Sequence, residues 1–238
     1  MKLDILAFGA HPDDVELGAG GLLASHANAG AATGIVDLTE GEMGTRGNAE
    51  IRKEEARKAG HILGCKIRLN MSMPDGQISY DHESQLKVAK IIRKYQPEIV
   101  LMNAPTDRHP DHGRASKLIE EACFLAGLSK IELYDNDVPL ASWRPKTMYK
   151  YLQFYNLEPN LVVDITDGFV QKMESIRAHK SQFFNPNSTE PETVIASEDF
   201  FDSISARAQD WGRVIGAKYA EPLISVRHIG VKNLNNLQ

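Results

Sequence analysis

Two short segments of this sequence concentrate side chains that bind metal ions or transfer protons. One reads HPDD at positions 11–14, and the other reads DRHPDH at positions 107–112. Two neutral imidazoles and one carboxylate form a common ligand set for a catalytic divalent metal, which keeps a further position open for water. We therefore predict that His11, Asp14 and His112 are metal ligands.

The residues beside these ligands have the chemistry of a general base and a general acid. Asp13 is adjacent to Asp14 but is not needed as a ligand, so we predict that it takes the proton from the metal-bound water. His109 is predicted to act as an acid or to stabilise an oxyanion. Each motif also has a structural interpretation, because a histidine after a strand is often a solvated loop residue or a helix cap, and Asp13 could cap the next helix.

The rest of the sequence must position these two segments, and it alternates short apolar runs with longer amphipathic stretches, as parallel α/β proteins do. We predict strands at 3–8, 33–38, 65–69, 98–102, 148–154 and 161–165, and helices at 15–29, 49–63, 85–95, 114–125, 169–182 and 203–219. The predicted fold class is α/β: a single-domain, Rossmann-like three-layer sandwich with a mostly parallel sheet, covering residues 1–238. A strand order of 3-2-1-4 is common in such sheets and places the loops after strands 1 and 4 side by side. The two segments are therefore expected to meet in one crevice.

The composition excludes several classes of protein. The 238 residues carry a formal charge of −5, which lacks the basic excess that nucleic acids require, so we expect no nucleic-acid partner. No apolar run approaches the ~18 residues of a membrane span, so we expect no membrane partner. Cys65 and Cys123 form no CxxC pattern, which disfavours a disulfide scaffold or a thiolate metal site. These features together predict a cytoplasmic protein.

Several common catalytic and cofactor-binding motifs are absent from the sequence, which disfavours the corresponding kinds of site. Gly18, Gly20 and Gly21 imitate a dinucleotide fingerprint but fall inside the first predicted helix, so a nicotinamide or flavin site is disfavoured. The sequence has no GxxxxGK[ST] loop and no GxSxG elbow, which disfavours P-loop chemistry and a serine hydrolase. Five histidines lie outside the two motifs and are predicted to be surface or packing residues: His26, His61, His82, His179 and His228.

One loop is predicted to border the crevice, a second segment is predicted to be a surface loop or lid, and one arginine is a candidate for substrate binding. The Gly-rich loop 41–47 follows the second strand, and the segment 184–191 between two predicted helices has the composition of a surface loop or lid. Arg52 has two interpretations that its spacing leaves open. It binds a substrate carboxylate or hydroxyl through paired donors, or it is an exposed partner of Glu50 or Glu55.

The motifs AHPDD at 10–14 and HPDH at 109–112 resemble the signature of the LmbE-like (PIG-L) zinc deacetylases, which remove acetyl groups from N-acetylglucosaminyl compounds. The resemblance extends over nearly the whole chain, through TEGE at 39–42, RKEEA at 52–56 and MPD at 73–75. It implies one Zn²⁺ per chain, with Fe²⁺ fitting the same ligands. It also implies a small-molecule amino-sugar substrate and a homo-oligomer, for example a hexamer.

Within this family, the segments 181–183, 190–193 and 219–222 are most similar to the members that deacetylate N-acetyl-glucosaminyl malate in bacillithiol biosynthesis. The implied reaction is hydrolysis of that amide to glucosaminyl malate and acetate. For this substrate we predict that Arg52, with Arg46 or Arg108, binds the malate carboxylates.

The resemblance also implies a role for each site residue. His11, Asp14 and His112 bind the metal, and Asp13 is the base. His109 stabilises the transition state, and Arg52 binds the substrate. Asp111 is expected to favour the protonated form of His109. Some relatives place a tyrosine over the site where this chain has Phe200, which puts a tyrosine donor in doubt. The alternatives are a deacetylase of other N-acetylglucosamine compounds, a thiol S-conjugate amidase of the same fold, and a non-enzymatic nucleotide- or metal-binding module, against which Asp13 argues.

Overall fold

The computed structural model describes residues 1–233 and contains strands and helices in regular alternation through its first half. The strands are Ile5–Gly9 (β1), Thr33–Thr39 (β2), Ile67–Met73 (β3), Ile99–Asn103 (β4), Tyr134–Asp135 (β5), Val138–Pro139 (β6), Thr147–Tyr151 (β7), Leu161–Asp164 (β8) and Ala220–Ser225 (β9). The helices are Asp14–Asn28 (α1), Ala49–Ile62 (α2), His82–Tyr95 (α3), Pro110–Ala126 (α4), Phe169–Ala178 (α5) and Glu198–Ile215 (α6). In this part of the chain no helix is both long and apolar enough to cross a bilayer.

Seven of the strands form one sheet in the order β3-β2-β1-β4-β7-β9-β8. The pairs from β3 to β7 are parallel, whereas β9 runs antiparallel to both β7 and β8. The predicted fold class and the predicted 3-2-1-4 order are therefore confirmed. The sequence analysis missed β9 and the small β5–β6 hairpin.

Two apolar cores cover the two faces of the sheet, which makes three layers. One core packs α3 and α4 against the sheet through residues such as Ile92 and Leu118. The other packs α1 and α5 through residues such as Leu23 and Ile176. β1 and β4 lie at the centre of the sheet and are buried on both faces. The ends of these two strands therefore give the loops that follow them a fixed starting position.

The glycines of α1 let this helix lie unusually close to the sheet. A Cβ on Gly18 would lie 2.1 Å from the ring of Tyr151 on β7, and a Cβ on Gly21 would lie 2.5 Å from Ile165. The Tyr151 hydroxyl donates to the carbonyl of Phe8 on β1 at 2.9 Å. All three glycines that imitate a dinucleotide motif lie inside the helix, as predicted, and two of them allow close packing against α1.

Candidate metal centre

The two segments that carry the predicted site residues lie side by side where β1 and β4 end. Residues 11–14 follow β1 and lead into α1, while residues 107–112 follow β4 and form the start of α4. Together they line a cavity of about 310 Å³, which is hereafter called the cleft. The convergence that the strand order predicts is present in the structure.

His11, Asp14 and His112 form a compact cluster at the base of the cleft. Nδ1 of His11 lies 3.5 Å from Oδ2 of Asp14, and Nε2 of His112 lies 3.2 Å from Oδ1 of the same carboxylate. One ligand atom from each residue lies within 4.8 Å of the others, and all three residues are buried. This donor set, two imidazoles and one carboxylate, fits a divalent metal with an open position.

Each of the two histidines is held by a second carboxylate on its other ring nitrogen. Nε2 of His11 lies 2.9 Å from Asp75, and Nδ1 of His112 lies 3.1 Å from Asp107. Such carboxylate partners fix the ring orientation and raise the basicity of a metal ligand. Neither aspartate is predicted from the sequence to have a role, although Asp107 stands in the ligand-rich segment and Asp75 in the MPD turn.

Two amides orient the carboxylate of Asp14. Asn103, the last residue of β4, donates to its Oδ2 at 3.1 Å, and Gln153 donates to its Oδ1 at 2.7 Å. The Asn103 side chain also accepts from the backbone N–H of Ala10 at 3.0 Å. The predicted ligand is thus tied to the ends of β1 and β4 and to the segment after β7.

A second group, His11, His109 and Asp111, also satisfies the distance for a metal site. Its carboxylate, however, is already neutralised by the guanidinium of Arg114, whereas the amide and backbone donors to Asp14 carry no charge, and one member of this group, His109, is less buried. Asp111 accepts from the backbone N–H of Gly76 at 2.7 Å and from Arg114 at 3.0 Å. The cluster around Asp14 is therefore the better metal centre of the two.

Asp13 is buried beside this cluster and lines the cleft. Its φ is 127°, a conformation that is costly for a residue with a side chain, and strain of this kind gathers at functional sites. Its side chain makes no capping hydrogen bond to α1, so the interpretation of Asp13 as a simple helix cap is wrong. Instead, its Oδ2 lies 3.3 Å from Nη2 of Arg52.

The electrostatics of the cluster favour a cation. Burial lowers the pKa of His11, but hydrogen bonds with the neighbouring carboxylates outweigh this and hold the pKa well above its ordinary value. Burial acts in the opposite sense on Asp14, yet His112 and His11 hold the pKa of that carboxyl well below its usual range. Burial raises the pKa of Asp13 against the lowering effect of Arg52. Carboxylates crowd around the imidazoles here, and a bound cation would relieve their repulsion.

His109 faces the cleft as predicted, and Asp111 raises its pKa as expected but is not the strongest influence on it. The Asp111 carboxylate points to Gly76 and Arg114, and only its backbone N–H contacts His109, donating to Nδ1 at 3.2 Å. Burial lowers the pKa of His109, and nearby His11 lowers it further, which outweighs the effect of Asp111. Asp111 therefore favours the protonated ring, as expected, but burial and the neighbouring histidines act more strongly against it. With Nδ1 accepting, the proton of the neutral ring sits on Nε2, so His109 remains a hydrogen-bond donor.

Arg52 reaches the cleft but is neither an exposed partner of a glutamate nor a free substrate clamp. It is buried, and its guanidinium donates to the carbonyls of Gly41 at 2.8 Å and Pro12 at 2.9 Å. Gly41 has a φ of 67°, and a Cβ there would lie 2.0 Å from the guanidinium, so this contact requires glycine. Arg52 thus fastens the Gly-rich loop to the strained turn at Asp13.

The other two predicted arginines also line the cleft, in different surroundings. Arg46 is buried and donates to the hydroxyl of Ser188 at 2.7 Å, which joins the Gly-rich loop to the segment predicted as a lid. Arg108 is less buried, and its guanidinium carbon lies 5.1 Å from the centre of the Phe154 ring. Of the three, Arg108 is the one whose side chain makes no hydrogen bond among residues 1–233.

Two further aromatic and imidazole side chains complete the surroundings of the site. Phe200 lines the cleft and stacks on Phe154 with ring centres 6.1 Å apart, so this position supplies no hydroxyl donor. His179, predicted to be a surface or packing residue, is fully buried and lies 3.1 Å from Glu16. Glu16 in turn pairs with Arg68, so His179 belongs to a buried charge network beneath the site.

Three comparisons with known proteins bear on what this arrangement does. The PIG-L family model, described as GlcNAc-PI de-N-acetylase, matches residues 6–123. The diacetylchitobiose deacetylase of Thermococcus kodakarensis is 32% identical over 229 residues, covering 91% of this chain and 80% of that protein.

Solved structures share the whole fold. The conserved protein TT1542 from Thermus thermophilus matches with a TM-score of 0.85 and 35% identity, covering 97% of this chain and 98% of that one. GalB, the 4-carboxy-2-hydroxymuconate hydratase of Pseudomonas putida, matches with a TM-score of 0.78 and 25% identity, covering 98% and 100%. The architecture therefore occurs in a hydratase as well as in a deacetylase.

Proposed function

The chain belongs to the PIG-L family of N-deacetylases, and on that premise we propose that it hydrolyses the acetamide of N-acetylglucosamine joined to a second group. The observation that carries this proposal is the cluster of His11, Asp14 and His112 with the buried, strained carboxylate of Asp13 beside it. A metal-binding module needs only the first three residues. The fourth supplies the base that amide hydrolysis requires.

Each side chain of the site has its own role in the proposed reaction. A divalent cation, which we propose to be Zn²⁺, would be held by His11, Asp14 and His112 and would supply a Lewis acid for the acetyl carbonyl and a water of lowered pKa. Asp13 accepts the proton of the attacking water and returns it to the departing nitrogen. His109, with its proton on Nε2, donates to the oxyanion. Fe²⁺ fits the same donors, so metal analysis of the purified protein must accompany the assay.

The group attached to the sugar has two candidates. The first is malate, as the sequence resemblance implies, and Arg108 at the cleft supports an anionic group. Arg52 and Arg46 give little support to malate, because each already donates to a protein oxygen. The second candidate is another N-acetylglucosamine, which is favoured by the similarity to a diacetylchitobiose deacetylase.

The test offers N-acetylglucosamine, N,N′-diacetylchitobiose and N-acetyl-glucosaminyl malate to the purified protein, with and without added zinc. We expect acetate and a free amine in equal amounts, in a reaction that a chelator abolishes and zinc restores. Release of no acetate from any of the three would contradict the proposal. Hydration of a carboxylated diene would instead indicate a reaction like that of GalB, and cleavage of a thiol S-conjugate would indicate the amidase.

We also propose that the protein acts as a homo-oligomer on a small molecule, with no nucleic-acid or membrane partner and in the cytoplasm. The support is the sequence resemblance for the oligomer, and the net charge of −5 for the absence of nucleic acid. Sedimentation velocity at several protein concentrations measures the assembly. A single species of one chain's mass at all concentrations would contradict it.

A further inference from the structure

A second cavity lies directly beside the cleft and is larger than it. Its volume is about 650 Å³, against about 310 Å³ for the cleft. Residues Ser203, Ala206, Arg207 and Trp211 of α6 line it, and we call it the α6 pocket. Nothing in the mechanism above uses this space.

The α6 pocket and the cleft share one wall. Leu17, Gln153, Phe154 and Phe200 line both cavities. Gln153 is also the residue that donates to Asp14, so the far side of this wall touches the metal centre. A molecule whose acetamide lies at Asp14 could therefore extend over Phe154 and Phe200 into the α6 pocket.

The lining of the α6 pocket suits a sugar ring. Trp211 offers an aromatic face, and its indole N–H has no hydrogen-bond partner within residues 1–233. Ser203 and the exposed Asn156 add polar groups around it. An apolar aromatic wall with a few polar groups at its edges is the usual lining of a small-molecule site, and the CH-rich face of a pyranose packs on such a ring.

The charges in the α6 pocket favour a neutral ring over a dicarboxylate. Lys172 is paired with Glu221 at 2.5 Å, and Asp210 is paired with Arg213 at 2.9 Å. Arg207 has no carboxylate partner in the described chain, but it donates to the backbone carbonyls of Gln153 and Tyr155. It therefore offers hydrogen-bond donors to hydroxyl or acetamide oxygens but not the free, paired clamp that two carboxylates require.

We propose that the α6 pocket is the subsite for a second pyranose ring linked to the N-acetylglucosamine that is deacetylated in the cleft. This inference rests on the proposed function and specifies its substrate as a disaccharide or longer amino-sugar chain. The ring lies against Trp211, and the glycosidic bond crosses the wall formed by Phe154 and Phe200. The subsite contributes binding for the attached sugar and takes no part in proton transfer.

The test fills the pocket. Ala206 lines the α6 pocket, so Ala206→Trp places an indole in the space for the second ring. Gln209→Trp adds the same bulk at an exposed position of the same helix that does not line the pocket. We expect the ratio of kcat/KM for N,N′-diacetylchitobiose to kcat/KM for N-acetylglucosamine to fall about tenfold in Ala206→Trp, the scale of one lost aromatic contact, and to stay unchanged in Gln209→Trp. An unchanged ratio in Ala206→Trp would overturn the proposal, as would a loss confined to N-acetyl-glucosaminyl malate.

A binding measurement separates failure of the subsite from failure of the proposed function. The chain has two tryptophans, and the indole of Trp143 is tied to the carbonyl of Pro97 in the core region of α3 and α4. Titration of Asp13→Asn protein with N,N′-diacetylchitobiose should therefore change the emission of Trp211, and the change should disappear in Asp13→Asn/Trp211→Phe. A saturable change without deacetylation by the wild type would contradict the proposed function and support the subsite. Deacetylation without any change in emission would contradict the subsite.

Discussion

At the scale of single residues, the site separates metal binding from proton transfer in adjacent positions. Asp14 is fixed by Asn103 and Gln153 with both oxygens toward the histidines, whereas Asp13 turns away toward Arg52. The backbone of Asp13 has a φ of 127°, a conformation that residues with a side chain rarely adopt. Strain of this kind costs on the order of 1–3 kcal/mol, which the buried surroundings must offset.

This separation leads to a prediction about two variants. Asp13→Asn should keep the metal and lose turnover by about 10²–10⁴-fold, because the amide cannot accept the water proton. His112→Ala should instead lose the metal, because only two ligands remain. Metal content after dialysis against a chelator, measured beside acetate release, distinguishes the two variants.

Each variant serves as the control for the other. A His112→Ala protein that retains one metal per chain after chelator treatment would contradict the ligand assignment. An Asp13→Asn protein with wild-type turnover would show that Asp13 is not the base. Circular dichroism of both proteins checks that the differences do not come from unfolding.

The sequence predicts the three ligands and Asp13, but not the aspartates that hold the histidines. The ligands can be predicted because strand order alone brings the loops after β1 and β4 together. Asp75 lies just after β3, which extends to Met73, and the pairing of β3 with β2 shifts register between Asp37 and Thr39. A bulge of this kind leaves no clear mark in the amino-acid pattern.

At the scale of elements, α4 begins earlier than its apolar pattern predicts, and the sequence contains capping residues that mark this earlier start. The predicted helix begins at residue 114, where apolar periodicity starts, but the observed helix begins at Pro110. His109 caps it through Nδ1, and Pro110 occupies the first turn, where its missing N–H costs nothing. His112 is therefore positioned by a helix, which holds its ring more firmly than the predicted loop would.

The Gly-rich loop and the segment before α6 form two sides of the cleft. Arg46 binds Ser188, and the backbone N–H of Gly47 donates to Glu190 at 2.8 Å, so the two sides are joined to each other. Thr193 of the second segment also lines the cleft. The expectation that residues 184–191 form a surface loop agrees with this arrangement, and its contacts are to the Gly-rich loop.

Arg52 holds the start of the Gly-rich loop at Gly41. We therefore predict that replacing Arg52 lowers the catalytic activity by the same factor for every substrate. Arg52→Gln removes the contacts that hold the carbonyls of Pro12 and Gly41 and the Asp13 carboxylate. We expect kcat to fall about 10²-fold for every N-acetylated substrate, the size of effect that a misplaced catalytic group produces. Steady-state kinetics with N-acetylglucosamine and N-acetyl-glucosaminyl malate measure it.

Arg108 provides the matched control, because it lines the same cleft but lies on the ring of Phe154 without a hydrogen bond to Asp13. Arg108→Gln should change KM more than kcat, and more for the malate conjugate than for the monosaccharide. If Arg52→Gln changed the preference between the two substrates and Arg108→Gln did not, Arg52 would be the residue that binds malate.

At the scale of the whole molecule, the last strand in chain order, β9, occupies an interior position in the sheet that the sequence pattern disfavours. β9 lies between β7 and β8 and is paired on both sides, yet it contains Pro222. Proline in a sequence argues against a central strand, because it cannot donate to the ladder. The carbonyl of Pro222 still accepts from Leu152, and its register partner is Val162 on β8. The sheet therefore ends with antiparallel pairs that βαβ reasoning does not anticipate.

Glu221 of β9 joins three elements through buried charges. Its carboxylate accepts from the backbone N–H groups of Gly21 at 3.0 Å and Leu22 at 2.8 Å, within α1. Lys172 of α5 pairs with it and also donates to the carbonyl of Leu17 at 2.7 Å. The side chains of Lys172 and Glu221 are only 3% and 4% exposed. This pair therefore fixes the helix that begins at the metal centre against the last strand of the fold.

Breaking this pair should destabilise the whole molecule, because it leaves one charge buried without its partner. We expect Glu221→Gln to lower the free energy of unfolding by about 3 kcal/mol, and the double variant Lys172→Met/Glu221→Gln to recover part of that loss, because no unpaired charge then remains. Guanidinium denaturation at fixed protein and zinc concentrations measures both, since bound metal adds to stability. The exposed pair of Glu54 and Arg57 supplies the control, and Glu54→Gln should leave the denaturation midpoint unchanged. A double variant less stable than Glu221→Gln would show that Lys172 stabilises α1 by its hydrogen bond to Leu17 and not through the ion pair.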